Sequence, residues 1–583
     1  MNNSIQHPTT RISRPLRATA PRKTLMASML IGSLLVAGGC DATATSTETA
    51  AGNNSAQGSG VTATQTATAT AITARDELAS ATHYDSDDLE YDSSQVTTVE
   101  LATTTATVTG ADTQDVSVST ENGETALTIS GSGVYRLSGT LTGQVVVASD
   151  DEAAVQLILD NADISSAIGP ALLITAADEV TVIIADGTTN SLADAASRTD
   201  DESDSNYDTN AALFSRSGLT LAGTGTLQVT GNLEDGIHSK DGLVIDGPTV
   251  TVTALDDGII GKDYVVVADG TLDVTAVDTG IGSDNDEDAD RGWLSIIDGT
   301  VTVATEDDAI KAENAIAIAG GVVTVTRSNE GIEAAGITIN DGIVDITSAD
   351  DAINASGGYG TESTSDDTGA ATTETTESNR ERPAPPDGDT AMPQPPEGSG
   401  GERPTGEPGG TAPSGGAPGG APGGMEEAGD QSIVISGGTI TINAGGDGID
   451  SNGSAVISGG NVIVFGPEDN GNGALDVAGT FEVTGGTLAA VGSAGMAQSP
   501  DTGSAQASVS IALTSQLATG ATVAIADADG NVLTTLTAAK SAGHIVFSSA
   551  GLVTGKTYEA YQVASSSQDS VEDATLLGSA TAA

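Results

Sequence analysis

The sequence predicts an all-β chain organised as a single-stranded parallel β-helix with about 22 residues per coil. Three observations predict it. A small residue followed by isoleucine recurs at Gly236, Gly258, Gly280, Ala309, Gly331 and Ala352, at intervals of 22, 22, 29, 22 and 21. Between these marks the chain reads as short apolar runs broken at Gly, Asp or Asn, as in "SKDGLVIDGPTVTVTALD". Aromatic residues make up only 2% of the chain, so its core must be built from Val, Ile, Leu and Ala. Three runs per 22 residues make one coil, and coils stack at the inter-strand spacing of roughly 4.8 Å. A β-sandwich would leave the period unexplained.

The elements follow in order. Residues 1–39 read as a lipoprotein signal peptide: Arg11, Arg14, Arg17, Arg22 and Lys23 precede an apolar run, Leu25 to Ala37, too short for a spanning helix. The run ends in "LLVAGGC", and Cys40 is the only cysteine, so no disulfide can form within one chain and lipidation at Cys40 is expected. That reading places the protein outside the cytoplasm, exported and lipid-anchored to a bacterial membrane or cell surface. Residues 40–97, rich in Ala, Thr, Ser and Asp, read as a disordered tether. The first part of the helix is expected over 98–355. A Gly/Pro-rich insertion, 356–430, cannot form a packed core and is expected to be disordered. The repeat resumes over 431–506. Longer strands over 507–562 suggest a β-rich cap on the open end, and 563–583 a flexible tail.

The formal net charge of −62 excludes nucleic acid as a partner, because phosphate binding needs cationic side chains. Loss of the signal peptide would remove five positive residues and no acids, taking the charge to −67. The acids are concentrated at the repeat marks: Asp235, Asp256 with Asp257, Asp307 with Asp308, Glu330, Asp350 with Asp351, and Asp447, with Asp278 in an irregular coil and Asp450 just beyond a mark. One carboxylate per coil makes a column along one edge, with the isoleucine turned inward and the acid outward. Carboxylates roughly 5 Å apart repel by about 1 kcal/mol even in water, so something positive must sit among them. Lys240, Lys262 and Lys311 follow marks in their own coils and are one candidate. Ca²⁺, which takes roughly 6–8 oxygen ligands, is the other and is the expected cofactor. Asp241, Asp263, Glu313, Asn314, Glu333 and Asn452 offer further oxygens nearby, and no His/Cys cluster suits zinc. His238, beside the column, reads as a surface residue. Trp293, the single tryptophan, reads as a partly buried anchor rather than a sugar-stacking platform.

The segments "GSGVYRLSGTLTGQVVV", "AVQLILDNADISSAIGPALLI", "DDGIIGKDYVVV", "SNEGIEAAGITINDGIVDITSADDAINA" and "GDGIDSNG" together resemble the carbohydrate-binding domain-containing family of secreted bacterial β-helix proteins. The resemblance runs from about Thr98 to Gln562. It implies a right-handed, pectate-lyase-like β-helix, calcium carried at the "DDGI"-type marks, and binding of polygalacturonate or cellulose-like polysaccharide without lyase activity; a monomer is expected. Calcium shared between protein and sugar carboxylates would reverse the repulsion expected between so acidic a protein and a polyuronate. Scarce aromatic residues also favour an acidic glycan over a neutral one. Two alternatives stand beside this reading. A β-helix polysaccharide lyase needs a base near calcium, for which Lys262 and Lys311 are the candidates. A structural adhesin would use calcium only to stiffen a rod.

Overall fold

A computed structural model describes residues 70–121, 123–151, 153–197, 209–358, 428–568 and 570–583. The signal segment, Cys40 and most of the insertion lie outside these residues.

The repeat marks stack. Parallel pairing places Ile237 beside Ile259, and the line continues through Ile281, Ile310, Ile332, Ile353 and Ile449 to Leu475. Every member is at most 1% exposed. Two further columns run alongside. One carries Leu243, Val265, Leu294, Ile316, Ile337 and Ile433. The other carries Val250, Leu272, Val301, Val323, Val344 and Ile440. All belong to one continuous apolar core. Each such side chain contributes about 1.5–3 kcal/mol when fully buried, which replaces the aromatic bulk the composition lacks. Ile353 pairs with Ile449, so neighbouring rungs meet directly across the insertion.

The small residue in each mark is set by this packing. A Cβ on Gly258 would lie 2.4 Å from both the carbonyl oxygen of Gly280 and Val274 Cγ1. The column backbones approach so closely because Gly258 N–H donates to Thr279 O and Ile259 N–H to Gly280 O.

Both ends of the stack are covered. Near the start, Val96–Ala102 pairs with Thr105–Thr109 and with Gly133–Ala148. At the far end, Ala542–Ser549 runs antiparallel to Thr487–Gly492 and closes that edge. A separate antiparallel sheet follows, ordered Val532–Thr537, Thr522–Asp527, Thr557–Val563, Thr575–Thr581. The last strand falls within the expected flexible tail. It is ordered by pairing with Thr557–Val563 and by Leu577, which is 1% exposed.

Residues 40–69 of the expected tether lie outside the described residues, and the remainder is ordered. Residues 70–95 form a strap over one face of the stack, with short turns at Arg75–Glu77 and Ser86–Leu89 and a single helical turn at Leu78–Ala81. Arg75 Nη2 reaches both carboxylate oxygens of Asp246 at 2.6 Å, and Tyr84 Oη donates to Asp246 Oδ2 at 2.7 Å. His83 N–H donates to Tyr264 Oη at 2.8 Å. Ala71, Ile72, Leu78 and Tyr84 cover Val244, Tyr264, Val266 and Trp293. Trp293 is 4% exposed and stacks on Tyr264 at 4.9 Å, so it is an anchor beneath the strap.

Candidate functional site

The corner that carries the marks presents the acids in two adjacent lines. Gly236 N–H donates to Asp257 O, Gly258 N–H to Thr279 O, Gly280 N–H to Asp308 O, Ala309 N–H to Glu330 O, Gly331 N–H to Asp351 O, and Ala352 N–H to Asp447 O. The mark line is therefore Asp235, Asp257, Thr279, Asp308, Glu330, Asp351 and Asp447. Asp278 precedes Thr279, as Asp256 precedes Asp257, and belongs to the neighbouring line with Asp307 and Asp350.

A further line lies three residues after each mark. Strand pairing aligns His238, Ile260, Gly282, Lys311, Glu333, Asn354, Asp450 and Asp476. The marks by themselves point only to the carboxylates that precede each small residue. The signal that finds this line is the constant offset of three between mark and partner, as in Asp308 and Lys311, Glu330 and Glu333, or Asp447 and Asp450.

The carboxylates do not all turn outward as expected. Asp235 is fully buried and Asp308 is 5% exposed, while Asp256, Asp257, Glu330, Asp351, Asp447 and Asp450 are part-buried. Asp307, Asp278 and Asp350 are the exposed members. Burial costs are offset by backbone donors from the next rung. Asp235 Oδ1 accepts from Asp257 N–H at 3.3 Å, Asp257 Oδ1 from Thr279 N–H at 2.9 Å, Asp351 Oδ1 from Asp447 N–H at 2.5 Å, and Asp447 Oδ1 from Gly473 N–H at 2.5 Å. Asp235 is also held by Asn210 Nδ2 at 2.6 Å and by His238 Nδ1 at 2.7 Å. His238 is 4% exposed and tilts against Phe214, so it belongs to the interior and not to the surface.

These donors do not compensate burial in full. Burial, with charge from neighbouring acids, pushes Asp235, Asp257, Asp351 and Asp450 up to about 7, Asp447 to about 6 and Glu330 to about 8. Burial also raises Asp307, which shares a hydrogen bond with Asp278. The column thus needs protons or cations.

Two groups bring three carboxylates together, with one oxygen from each lying within 4.8 Å of the others: Asp256, Asp257 and Asp278, and Asp308, Glu330 and Glu333. Among the described residues no Lys or Arg forms an ion pair with the first group. An all-carboxylate set of this kind fits a hard cation such as calcium. The second group already has a cation. Lys311 Nζ lies 2.5 Å from Asp308 Oδ2 and 2.7 Å from Glu333 Oε2. Burial opposes the charge on Lys311, but these two acids outweigh it and raise its pKa. Burial likewise opposes the charge on Glu333, and Lys311 brings its pKa below the usual carboxylate value.

The other lysines are placed elsewhere. Lys262 Nζ pairs with Glu287 at 3.0 Å, and Lys240 lies over the Phe214 ring at 5.9 Å. Asp263 accepts from Asn285 Nδ2 and pairs with Arg291, away from the marks.

This chain is similar to known proteins in part of its length. A family model described as carbohydrate-binding domain-containing protein matches residues 123–369. A carbohydrate-binding domain-containing protein of Acetivibrio thermocellus is 34% identical over 123 residues, which are 21% of this chain and 43% of that protein. The match therefore spans less than half of the relative's length. Among solved structures, a polysaccharide lyase-like protein from C. thermocellum, in a gadolinium derivative, is 28% identical with a TM-score of 0.37, covering 43% of this chain and 96% of its own.

Proposed function

We propose that this chain is a non-catalytic polysaccharide-binding protein of the cell surface, calcium-dependent and selective for acidic, pectin-like glycans over cellulose. In this reading the parallel stack is a right-handed β-helix, and the protein is an exported monomer lipid-anchored at Cys40. The similarity of residues 123–369 to carbohydrate-binding domain-containing proteins supports the ligand class. The 22-residue offsets between rung partners support the β-helix.

The observation that carries the mechanism is the convergence of Asp256, Asp257 and Asp278 within 4.8 Å. These residues would hold calcium, and a bound calcium ion supplies open positions for oxygens of a uronate. Asp257 keeps one oxygen committed to Thr279 N–H, which fixes the carboxylate's orientation. The negative surface around the cluster rejects polyanions that no cation bridges.

A lyase reading would need Lys262 or Lys311 as a base. A catalytic lysine base needs its pKa lowered toward the working pH. Both are ion-paired and both are raised, Lys262 chiefly by its hydrogen bond to Glu287 and Lys311 by Asp308 and Glu333. No observation favours that reading.

The test is polygalacturonate binding by the full chain with calcium and with chelator, in wild type and in Asp256→Asn/Asp257→Asn. Binding that needs calcium and is lost in the double variant is the expected result. Equal binding in chelator would refute the calcium bridge. Calcium-stabilised protein that retains no glycan would point to a stiffened adhesin instead.

A further inference from the structure

We infer that Lys311 is a built-in cation, filling a rung of the acidic column that otherwise carries the oxygen set of a divalent-ion site. The inference rests on the calcium reading of the column and says which rung does not take the ion.

The oxygen set comes first. Asp308, Glu330 and Glu333 bring one oxygen each within 4.8 Å of the others, the same convergence found for Asp256, Asp257 and Asp278. A fourth donor stands beside them. Asn354 is 8% exposed and pairs with Glu333 in register. Its Nδ2 donates to Glu330 Oε2 at 2.9 Å, the orientation required when Glu330 is ionised, as it would be beside a bound cation. Its Oδ1 is buried and has no hydrogen-bond partner among the described residues. A buried acceptor left without a donor costs free energy, and a cation is one of the few groups that would relieve it here.

The occupant comes second. Lys311 enters from the line three residues after the marks, where the preceding rungs carry Ile260 and Gly282. Its ammonium lies 2.5 Å from Asp308 and 2.7 Å from Glu333, bridging two of the cluster's three acids. A tethered ammonium neutralises charge without depending on free ion concentration, whereas stabilisation by a bound metal grows with the logarithm of the free ion concentration and vanishes without it. The two clusters therefore meet the same electrostatic demand in different ways. The Asp256, Asp257 and Asp278 rung depends on a dissolved cation, and the Lys311 rung carries its own. The column has a calcium-independent girder beside a calcium-dependent corner.

The test counts ions. Calcium binding to the full chain is measured by equilibrium dialysis, in wild type and in Lys311→Met, with thermal melts in chelator and in calcium. The methionine variant is expected to bind one more ion per chain, to melt lower in chelator, and to recover with calcium. An unchanged ion count in a folded variant overturns the inference. Where Lys311→Met does not fold in chelator, Glu333→Gln serves instead, because it keeps the Lys311–Asp308 pair. Its ion count and chelator sensitivity should match wild type, and loss of an ion overturns the inference. If wild type binds no calcium and Lys311→Met binds one ion, the proposed function fails while the role of Lys311 stands. If wild type binds calcium and the variant binds no more, the reverse holds. Binding by neither overturns both.

Discussion

Asp257 Oδ1 accepts the backbone N–H of Thr279, its neighbour 22 residues further along the chain, at 2.9 Å. The same bond joins Asp235 to Asp257, Asp351 to Asp447, and Asp447 to Gly473. The mark carboxylate is thus a rung-to-rung clasp, and this role separates by mutation from the cation binding proposed for it. Asp257→Asn keeps an acceptor and loses the charge. In chelator at pH 8 it should melt at or above wild type, and its calcium response should shrink. Asp257→Ala leaves Thr279 N–H without its partner and should cost about 1–3 kcal/mol in either condition. Equal melting of the two variants in chelator would refute the clasp.

The raised carboxylates give the metal-free protein an inverted pH dependence. Asp235, Asp257, Asp351 and Asp450 titrate near 7 and Glu330 near 8 when folded, against ordinary carboxylate values when unfolded. Between about pH 4 and 8 the folded state binds more protons, so stability falls as pH rises through that window. His83, lowered to about 4 chiefly by burial, and His544, also lowered by burial, work in the opposite direction, but they are outnumbered by the raised carboxylates, which include Asp308, Asp447 and Glu179 besides those named. Melting in chelator should therefore decline from pH 5 to pH 8, and calcium should flatten the decline. A chelator profile that rises over this range would exclude the assignment.

The strap hangs on Asp246, which is 8% exposed and receives both Arg75 and Tyr84. Asp246→Ala removes both anchors. Limited proteolysis should then cut within residues 70–95 while the stack survives. The single tryptophan, Trp293, lies under the strap, so its fluorescence should shift to the red in the same variant. Unchanged emission alongside cleavage would show that the strap does not shield it.

Column packing sets the largest expected losses. Ile310→Ala empties a fully buried position and should cost about 2–5 kcal/mol. Gly258→Ala drives a Cβ to 2.4 Å from Gly280 O and should destabilise by a comparable amount. Denaturant melts measure both. A neutral Gly258→Ala would mean that the rungs separate freely at that corner.

Much of the stack was legible because stacking demands repetition: Ile237, Ile259 and Ile281 recur at a constant interval because each must lie on the last. The buried carboxylates were harder to read. A charged residue is ordinarily placed in water, and nothing local signals that Asp235 will find Asn210, 25 residues earlier, and His238. Asp278 stands one place off the mark line, because Thr279 is the residue that directly precedes Gly280 and accepts from Gly258 N–H. The strap escaped notice because it has no period of its own. Its order comes from a few residues, Arg75, Leu78, His83 and Tyr84, that meet partners more than 130 positions away.

The step from Ile353 to Ile449 also bears on how the protein assembles. Closing a loop grows in cost only with the logarithm of its length, so joining these residues across 96 positions, where other rungs use about 22, adds only about 1.3 kcal/mol for a flexible segment. That is less than burying one isoleucine returns. The long detour is thermodynamically cheap and kinetically expensive: the rungs before Ile353 and those after Ile449 should each nucleate separately, and their meeting should be the slow phase of refolding.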